Sequence, residues 1–234
     1  MRISTFLGLA TLSIAGIGAA DAATTPSEPH PTIRAIAGAA PVSKLQASKT
    51  ALLVIDFQNE YFAGGRMPLP DGDAALRQTR RLLEFADRHR IAVVHVQHVL
   101  PAGAPLFADG GNTVKFHAAM QPRRGEPVVR KDTVSVFAGA SAGAIEQALK
   151  GAGADTLIIA GLQTHACVAG AARDAAAKGY KVVVASDASA TRDLALRDGT
   201  RIDHKQLHAS ALAEIEDTFG DVMTTDRIIA LPVD

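Results

Sequence analysis

The sequence of 234 residues has a single cysteine, no tryptophan and no excess of either charge. Because one cysteine cannot pair within the chain, the fold is not held by disulfides. The 24 basic residues balance the 24 acidic ones, and the basic residues form only short pairs such as Arg80-Arg81. This pattern is not typical of proteins that bind nucleic acid or anionic lipid. We therefore expect neither as a partner.

The sequence also lacks an apolar run long enough to span a membrane. Arg2 precedes an apolar run from Phe6 to Gly18, and residues 20–22 (Ala-Asp-Ala) follow as a small-x-small cleavage site. A transmembrane helix needs about 20 apolar residues, which is more than this run supplies. Residues 1–22 are therefore predicted to be a secretory signal peptide. The mature protein is expected to be periplasmic or secreted and not attached to a membrane.

The rest of the chain is predicted to be one domain behind a lead-in. Residues 23–48 are rich in Pro, Ser, Thr and Ala and show no periodicity, which predicts an extended segment. The whole chain has 47% hydrophobic and 21% charged residues. Residues 49–234 can therefore bury the core of a single globular domain.

Short apolar runs alternate with helical patterns through this domain. The runs, rich in Val, Ile or Leu, are Ala51–Ile55, Ile91–Val96, Pro127–Val129, Thr156–Ala160, Tyr180–Ala185 and Asp221–Thr224. Such runs are typical of strands buried on both faces. Apolar residues at helical spacing lie between them, in 75–86, 142–149 and 211–219. The alternation predicts an α/β fold of three layers with a mostly parallel sheet of about six strands. Ligands of such sheets bind beyond the carboxyl ends of the strands.

Two of these predicted strands end next to charged residues. Asp56 follows the first strand, where a carboxylate between apolar walls gains affinity for protons and can act as a general base. An Asp in that position is equally typical of a cap on a helix or turn. Lys131 follows the third strand, where an ammonium can hold a carboxylate or a thiolate in its charged form. Taken alone, Lys131 is more typical of a surface lysine.

Cys167 lies after the fourth strand, at or near the first turn of an Ala-rich helix. The N–H groups at a helix N-terminus lower the pKa of a thiol and stabilise an oxyanion. A free cysteine is more often a small buried hydrophobe. An unpaired thiol is a liability in an oxidising compartment, which favours a catalytic role for it. We expect Cys167 at the bottom of a narrow pocket, because an exposed thiolate would be oxidised there.

Together these segments resemble the isochorismatase-like cysteine hydrolases, a group that includes nicotinamidases, N-carbamoylsarcosine amidohydrolase and biuret hydrolase. The resemblance rests on LLVIDFQNEYF, VVRKDTVSVF and GLQTHACV in that order and covers residues 50–225. It implies the Rossmann-like hydrolase fold of that group. Cys167 would be the nucleophile, Asp56 the proton acceptor and donor, and Lys131 the partner of Asp56. A cis peptide at Leu162-Gln163 would direct the N–H of Gln163, with that of Cys167, towards the oxyanion.

The resemblance implies hydrolysis of an amide or carbamoyl C–N bond of a small molecule through a covalent acyl-enzyme. Two other functions stay open. Isochorismatase cleaves a vinyl ether and lacks the cysteine, so C–O hydrolysis would need Asp56 but not Cys167. A binding protein on the same fold would carry an inert thiol. The presence of all three catalytic residues favours C–N hydrolysis.

The histidines separate this chain from the nicotinamidases, which bind a metal through an Asp-x-His pair. His95 and His98 are one residue too far apart for that motif, and neither has the preceding Asp, so neither a metal nor a cofactor is predicted. Residues i and i+3 of a strand point to opposite faces, and His98, nearer the strand end, is the predicted substrate-binding histidine. The other predicted pocket residues are Phe57, Phe137 and residues of the loop from about 101 to 122, and the weaker candidates are His117 and His208. Relatives often complete the pocket with a neighbouring subunit, so a homo-oligomer is expected.

Overall fold

The computed structural model describes residues 28–234, and residues 31–234 form one compact unit. The predicted signal peptide lies outside the described residues. In the segment predicted to be extended, a short helix α1 (Ile33–Ile36) is present, and Leu45 is buried and paired with Val233. No helix within residues 28–234 combines the length and the apolar character that a membrane span requires.

Eight strands are present in the described chain. They are β1 (Thr50–Ile55), β2 (Ala92–His98), β3 (Val128–Lys131), β4 (Thr156–Leu162), β5 (Lys181–Ala190), β6 (Leu194–Ala195), β7 (Arg201–Ile202) and β8 (Asp221–Met223). Six of them form a sheet in the order β3-β2-β1-β4-β5-β8, and every neighbouring pair is parallel. The predicted parallel sheet of six strands is therefore confirmed. The antiparallel hairpin of β6 and β7 was not predicted from the sequence.

Helices cover both faces of this sheet. They are α2 (Gly72–His89), α3 (Ala142–Gly151), α4 (Ala169–Ala177), α5 (His204–Glu214) and α6 (Thr225–Ile229). Alternate residues of β1 belong to different cores, because successive side chains of a strand point to opposite faces. Leu52 and Val54 share a core with residues of α2 and α6, whereas Leu53 and Ile55 share one with residues of α3 and α4. The predicted three-layer architecture is thus confirmed.

The strand register brings the ends of β1 and β4 into close contact. Ile55, the last residue of β1, is paired with Gly161 of β4. A Cβ atom on Gly161 would lie 2.6 Å from the Ile55 Cβ and 2.9 Å from the Ile55 oxygen. Only glycine therefore allows the two strands to approach this closely directly below Asp56.

Candidate active site

The carboxyl ends of β1, β3 and β4 bring Asp56, Lys131 and Cys167 together. The Lys131 Nζ lies 2.9 Å from the Asp56 Oδ2 and 3.2 Å from the Cys167 Sγ. All three side chains are buried, with 0%, 2% and 4% of their residue surface exposed. A buried ammonium thus contacts both a carboxylate and a thiol, so the three residues predicted as catalytic form one cluster.

Asp56 has a backbone φ of 58°, in the left-handed region that Asp tolerates better than most residues. Its N–H donates to the Val96 oxygen at 3.0 Å, and its own oxygen accepts from the Gln58 N–H at 2.7 Å. These bonds hold a sharp turn at the end of β1. Left-handed residues other than glycine store strain and cluster at functional sites. The Asp56 Oδ1 is buried without a hydrogen-bond partner among residues 28–234, so this oxygen is free to accept a proton or an N–H.

Four atoms surround the Lys131 ammonium. Besides Asp56 and Cys167, they are the His98 Nδ1 at 3.0 Å and the Thr133 carbonyl oxygen at 3.1 Å. Burial by itself would lower the Lys131 pKa, but the neighbouring charges of Asp56 and Cys167 outweigh it and raise this pKa. Burial, and then the positive Lys131, lower the His98 pKa. The pair is therefore an ammonium that donates to a neutral imidazole.

Cys167 lies in a π-helical turn, Thr164–Val168, that leads directly into α4. Burial and then the Asp56 carboxylate raise the pKa of Cys167 to about 12, although Lys131 opposes them. This direction is opposite to the lowering expected from a helix N-terminus, because the cost of burying a thiolate beside a carboxylate is larger. The thiol of the ligand-free protein therefore keeps its proton at neutral pH.

The peptide bond between Leu162 and Gln163 is cis, at the position that the resemblance implied. Gln163 is buried, and its Oε1 accepts a hydrogen bond from the Thr191 hydroxyl at 3.3 Å and another from the Arg192 guanidinium. Its Nε2 lies 3.0 Å from the Met67 Sδ. The Gln163 side chain is thus held from two sides at the start of the turn that carries Cys167.

Among the hydrogen bonds of the described chain, the predicted pocket residue that is connected to Asp56, Lys131 or Cys167 is His98, through Lys131. Phe57 has no exposed surface and packs in the core against α2, which makes it a core residue. Phe137 is buried in the same core as Cys167.

His95 points away from the site and pairs with Glu126 at 2.9 Å, as expected because residues i and i+3 of a strand point to opposite faces. The weaker candidates lie apart from Lys131: His117 caps a short helical turn, and His208 bonds to Thr164 at 2.8 Å.

Two aromatic residues of the site were not named from the sequence, although Phe107 lies in the loop that was predicted to line the pocket. The Phe107 ring lies parallel to the His98 ring, with centroids 4.6 Å apart and 5° between the planes. The Tyr61 ring packs edge-on against Phe107 at 5.4 Å. Burial, and then the nearby Cys167 and Asp56, raise the Tyr61 pKa, so the phenol keeps its proton. The position of Tyr61 five residues after Asp56 was an available signal, whereas Phe107 comes from a loop with no periodicity.

One metal-type donor set coincides with this cluster. Asp56, His98 and Cys167 offer one oxygen, one nitrogen and one sulfur atom that lie within 4.8 Å of one another. The Lys131 ammonium is within 3.2 Å of an atom of each of these three residues. The position that a metal ion would take is therefore already held by a positive group.

Comparisons with known proteins agree with this geometry. The family model described as Isochorismatase domain matches residues 50–227. The secreted isochorismatase effector Isc1 of Verticillium dahliae is 34% identical over 188 residues, which cover 80% of this chain and 94% of that protein. The maleamate amidohydrolase of Pseudomonas putida is 30% identical over 193 residues, 75% of this chain and 83% of the enzyme. The crystal structure of an isochorismatase from Pseudomonas putida KT2440 superposes with a TM-score of 0.74 at 29% identity, over 85% of this chain and 98% of that one.

Proposed function

Because this chain belongs to the isochorismatase family and is a hydrolase, we propose that it cleaves an amide or carbamoyl C–N bond of a small molecule, with Cys167 as nucleophile. The observation that carries the proposal is the position of the Lys131 ammonium, 2.9 Å from the Asp56 carboxylate and 3.2 Å from the Cys167 sulfur. A nucleophile, a proton acceptor and a positive charge in contact are the parts that covalent acyl transfer needs.

The first step removes the proton from Cys167. The pKa of about 12 keeps the thiol protonated until a substrate arrives, and the buried Asp56 carboxylate then accepts that proton. Once Asp56 is neutral, its repulsion of the thiolate disappears while the attraction of Lys131 remains. The Sγ atom then bonds to the carbonyl carbon, and the electron pair of the C=O bond moves onto its oxygen.

The second step breaks the C–N bond. The oxyanion returns its electron pair to carbon, and the leaving nitrogen takes the proton from Asp56. The N–H groups of Gln163 and Cys167 are the proposed donors to the oxyanion, because Gln163 directly precedes the turn from which the sulfur attacks and Cys167 lies in that turn. Water, deprotonated by Asp56, then attacks the thioester. This attack releases the acid product and restores the Cys167 thiol.

The position of Arg192 favours a substrate that carries a negative charge. Its guanidinium bonds to Gln163, and its charge acts to lower the pKa values of Tyr61 and His165. A positive group beside Gln163, which precedes the turn that carries Cys167, suits a carboxylate on the substrate. The relative named maleamate amidohydrolase acts, by its name, on a molecule that holds both an amide and a carboxylate.

A second candidate function is hydrolysis of a vinyl ether C–O bond. It is supported by the name of the secreted relative, an isochorismatase effector. That reaction needs an acid to protonate the substrate but no sulfur nucleophile, so Asp56 would be required and Cys167 would not. Isochorismate therefore belongs in any substrate panel beside amides and carbamoyl compounds.

The test compares wild type with Cys167→Ala and Asp56→Asn on such a panel, with circular dichroism to check the fold. C–N hydrolysis through Cys167 predicts that both variants lose turnover. An acid-quenched wild-type sample should also carry the acyl group of the substrate on the peptide that contains Cys167. If Cys167→Ala keeps full activity on the substrate that the wild type turns over, the covalent mechanism is wrong and the C–O reaction takes its place.

We also propose that the protein is exported and forms a homo-oligomer. Export is supported by the signal-peptide pattern of residues 1–22 and by the secreted relative. Mass spectrometry of the protein made in an exporting bacterial host should give a mature N-terminus near residue 23. Retention of residues 1–22 in the exported fraction would exclude cleavage there. Light scattering of the purified mature protein gives its oligomeric state directly.

A further inference from the structure

The Lys131 ammonium has the surroundings of a bound metal ion. Its neighbours are a carboxylate oxygen of Asp56 at 2.9 Å, an imidazole nitrogen of His98 at 3.0 Å, a carbonyl oxygen of Thr133 at 3.1 Å and the Cys167 sulfur at 3.2 Å. An ammonium can donate only three hydrogen bonds. Four acceptors around three donors is therefore a surplus of electron-rich atoms on one small cation.

The three side chains in this set are zinc ligands by type. One oxygen, one nitrogen and one sulfur with an open fourth position is the pattern of catalytic zinc sites, and a thiolate selects thiophilic metals. The donor atoms lie within 4.8 Å of one another. Bonds from zinc to such ligand atoms are about 2.0 to 2.3 Å long. The same atoms lie about 1 Å farther than that from the Lys131 Nζ. Small side-chain rotations would therefore close the set around a metal ion.

Two further observations favour a ligand at this point. The Asp56 Oδ1 is buried and has no hydrogen-bond partner in the described part of the chain, so the carboxylate has a second oxygen to offer. The His98 ring is held by its stacking on Phe107, and its Nδ1 is directed at the Lys131 Nζ, 3.0 Å away.

We propose that Asp56, His98 and Cys167 form a latent site for a thiophilic divalent cation such as Zn²⁺ or Co²⁺, and that the Lys131 ammonium excludes the cation by occupying its centre. Lys131 then has a role besides that of partner to Asp56. It protects the nucleophile from capture by metal, because a dication cannot approach an ammonium held at the same point. This inference rests on the donor geometry and does not require the proposed reaction.

The test measures Co²⁺ binding to the Lys131→Met variant. Binding is monitored by the charge-transfer absorption between sulfur and cobalt, and the titration is done without oxygen and with a phosphine reductant. All proteins in this test, including the parent with Lys131, also carry His204→Ala. This change removes a ligand from the other donor cluster of the described residues, which is formed by Asp193, Asp203 and His204. Lys131→Met should bind one equivalent at least about 100-fold more tightly than the Lys131 parent. Lys131→Arg, which keeps the positive charge, should stay close to the parent. Lys131→Met combined with Cys167→Ser should lose the charge-transfer band.

Several results would overturn the proposal. The proposal is wrong if the Lys131→Met protein folds but binds Co²⁺ no more tightly than its parent. It is also wrong if the charge-transfer band persists after Cys167 is replaced. If Lys131→Met does not fold alone, Lys131→Gln and the melting temperature with one equivalent of Zn²⁺ take its place. Stabilisation that depends on Cys167 supports the latent site, and its absence contradicts it. Turnover and acylation of the wild type are measured separately, so failure here leaves the proposed reaction standing.

Discussion

The Gln58 side chain binds both backbone groups of His98. Its Nε2 donates to the His98 carbonyl oxygen at 2.8 Å, and its Oε1 accepts from the His98 N–H at 2.8 Å. The same Nε2 also donates to the Val114 oxygen at 2.6 Å. Gln58 follows β1 and has no exposed surface. One amide therefore fixes the end of β2, and with it the imidazole that accepts from Lys131.

Gln58→Leu should destabilise the fold and displace His98. The change leaves the backbone N–H and oxygen of His98 without their side-chain partner, which costs about 2 to 4 kcal/mol in the free energy of unfolding, whereas the Val114 oxygen keeps a hydrogen bond from Gln97. Urea unfolding measures this cost. Gln121→Leu is the matched control, because Gln121 also donates to two carbonyl oxygens but at an exposed position, and it should cost less than about 1 kcal/mol. Equal losses in the two variants would contradict a special role for Gln58.

The sheet and the proximity of Asp56 to Lys131 could be predicted from the sequence because both depend on local patterns. Strands buried on both faces appear as continuous apolar runs, and the six runs lie within the observed strands or differ from them by a few residues. In a parallel sheet the carboxyl ends of the strands share one edge. Residues at or just beyond the ends of these strands, such as Asp56 and Lys131, therefore lie at the same edge of the sheet, whatever path the loops take.

Other features depend on contacts that no local pattern records. Phe107 reaches His98 from the loop between residues 101 and 122, where glycines and a left-handed φ of 52° at Phe107 itself set the path. A buried Glu60 holds this loop by accepting the Phe107 N–H at 3.2 Å. The helix N-terminus and the Lys131 ammonium both predicted a lowered Cys167 pKa, whereas burial and the Asp56 carboxylate raise it. Full burial and a carboxylate partner become visible only in three dimensions.

Asp56→Asn should make the Cys167 thiol easier to ionise while it abolishes turnover. After burial, the Asp56 charge is the largest cause of the raised Cys167 pKa, so its removal lowers that pKa and leaves Lys131 to stabilise the thiolate. Alkylation by iodoacetamide at pH 7.5 should then be at least about tenfold faster than in the wild type. Turnover should fall at least about 100-fold, since the proton acceptor is gone.

The pH profile of alkylation tests independently whether the Cys167 pKa is raised. In the wild type the rate should rise about tenfold per pH unit up to pH 10 without a plateau, because the pKa of Cys167 lies near 12. Lys131→Met removes a positive charge that lowers this pKa and should slow alkylation further. A wild-type plateau between pH 7 and 9 would mean that the thiol is already activated in the free protein. Bulky thiol reagents should react much more slowly than iodoacetamide, since only 4% of Cys167 is exposed.

Gly161→Ala should impair both stability and activity, because the added methyl group meets Ile55 Cβ at 2.6 Å. The strands must separate at the point that supports Asp56, with an expected cost of about 2 to 3 kcal/mol. Gly143→Ala is the control: it lies exposed in α3, with no atom within 4 Å of the added Cβ. That change should stabilise the protein by up to about 1 kcal/mol. Thermal melting of both variants, beside their turnover, separates a local clash from a general effect of alanine.

Arg192→Met tests the charge of the substrate. If the guanidinium binds a substrate carboxylate, the variant should lose about 100-fold or more in kcat/KM for an amide that carries a carboxylate. For the matched amide with a methyl ester in its place, the loss should be less than about threefold. Arg192→Lys should recover part of the difference, because it restores the charge but not the two-pronged hydrogen bonding of arginine.

The neutral substrate is needed to interpret this result. Arg192 also donates to Gln163, which precedes the turn that carries Cys167, so its loss could displace the nucleophile instead of weakening a substrate contact. Displacement of Cys167 would slow the charged and the neutral amide by the same factor and would slow iodoacetamide as well. A loss confined to the charged amide, mainly in KM, is expected only when the arginine contacts the substrate. Equal losses for both amides would assign Arg192 to the support of Gln163.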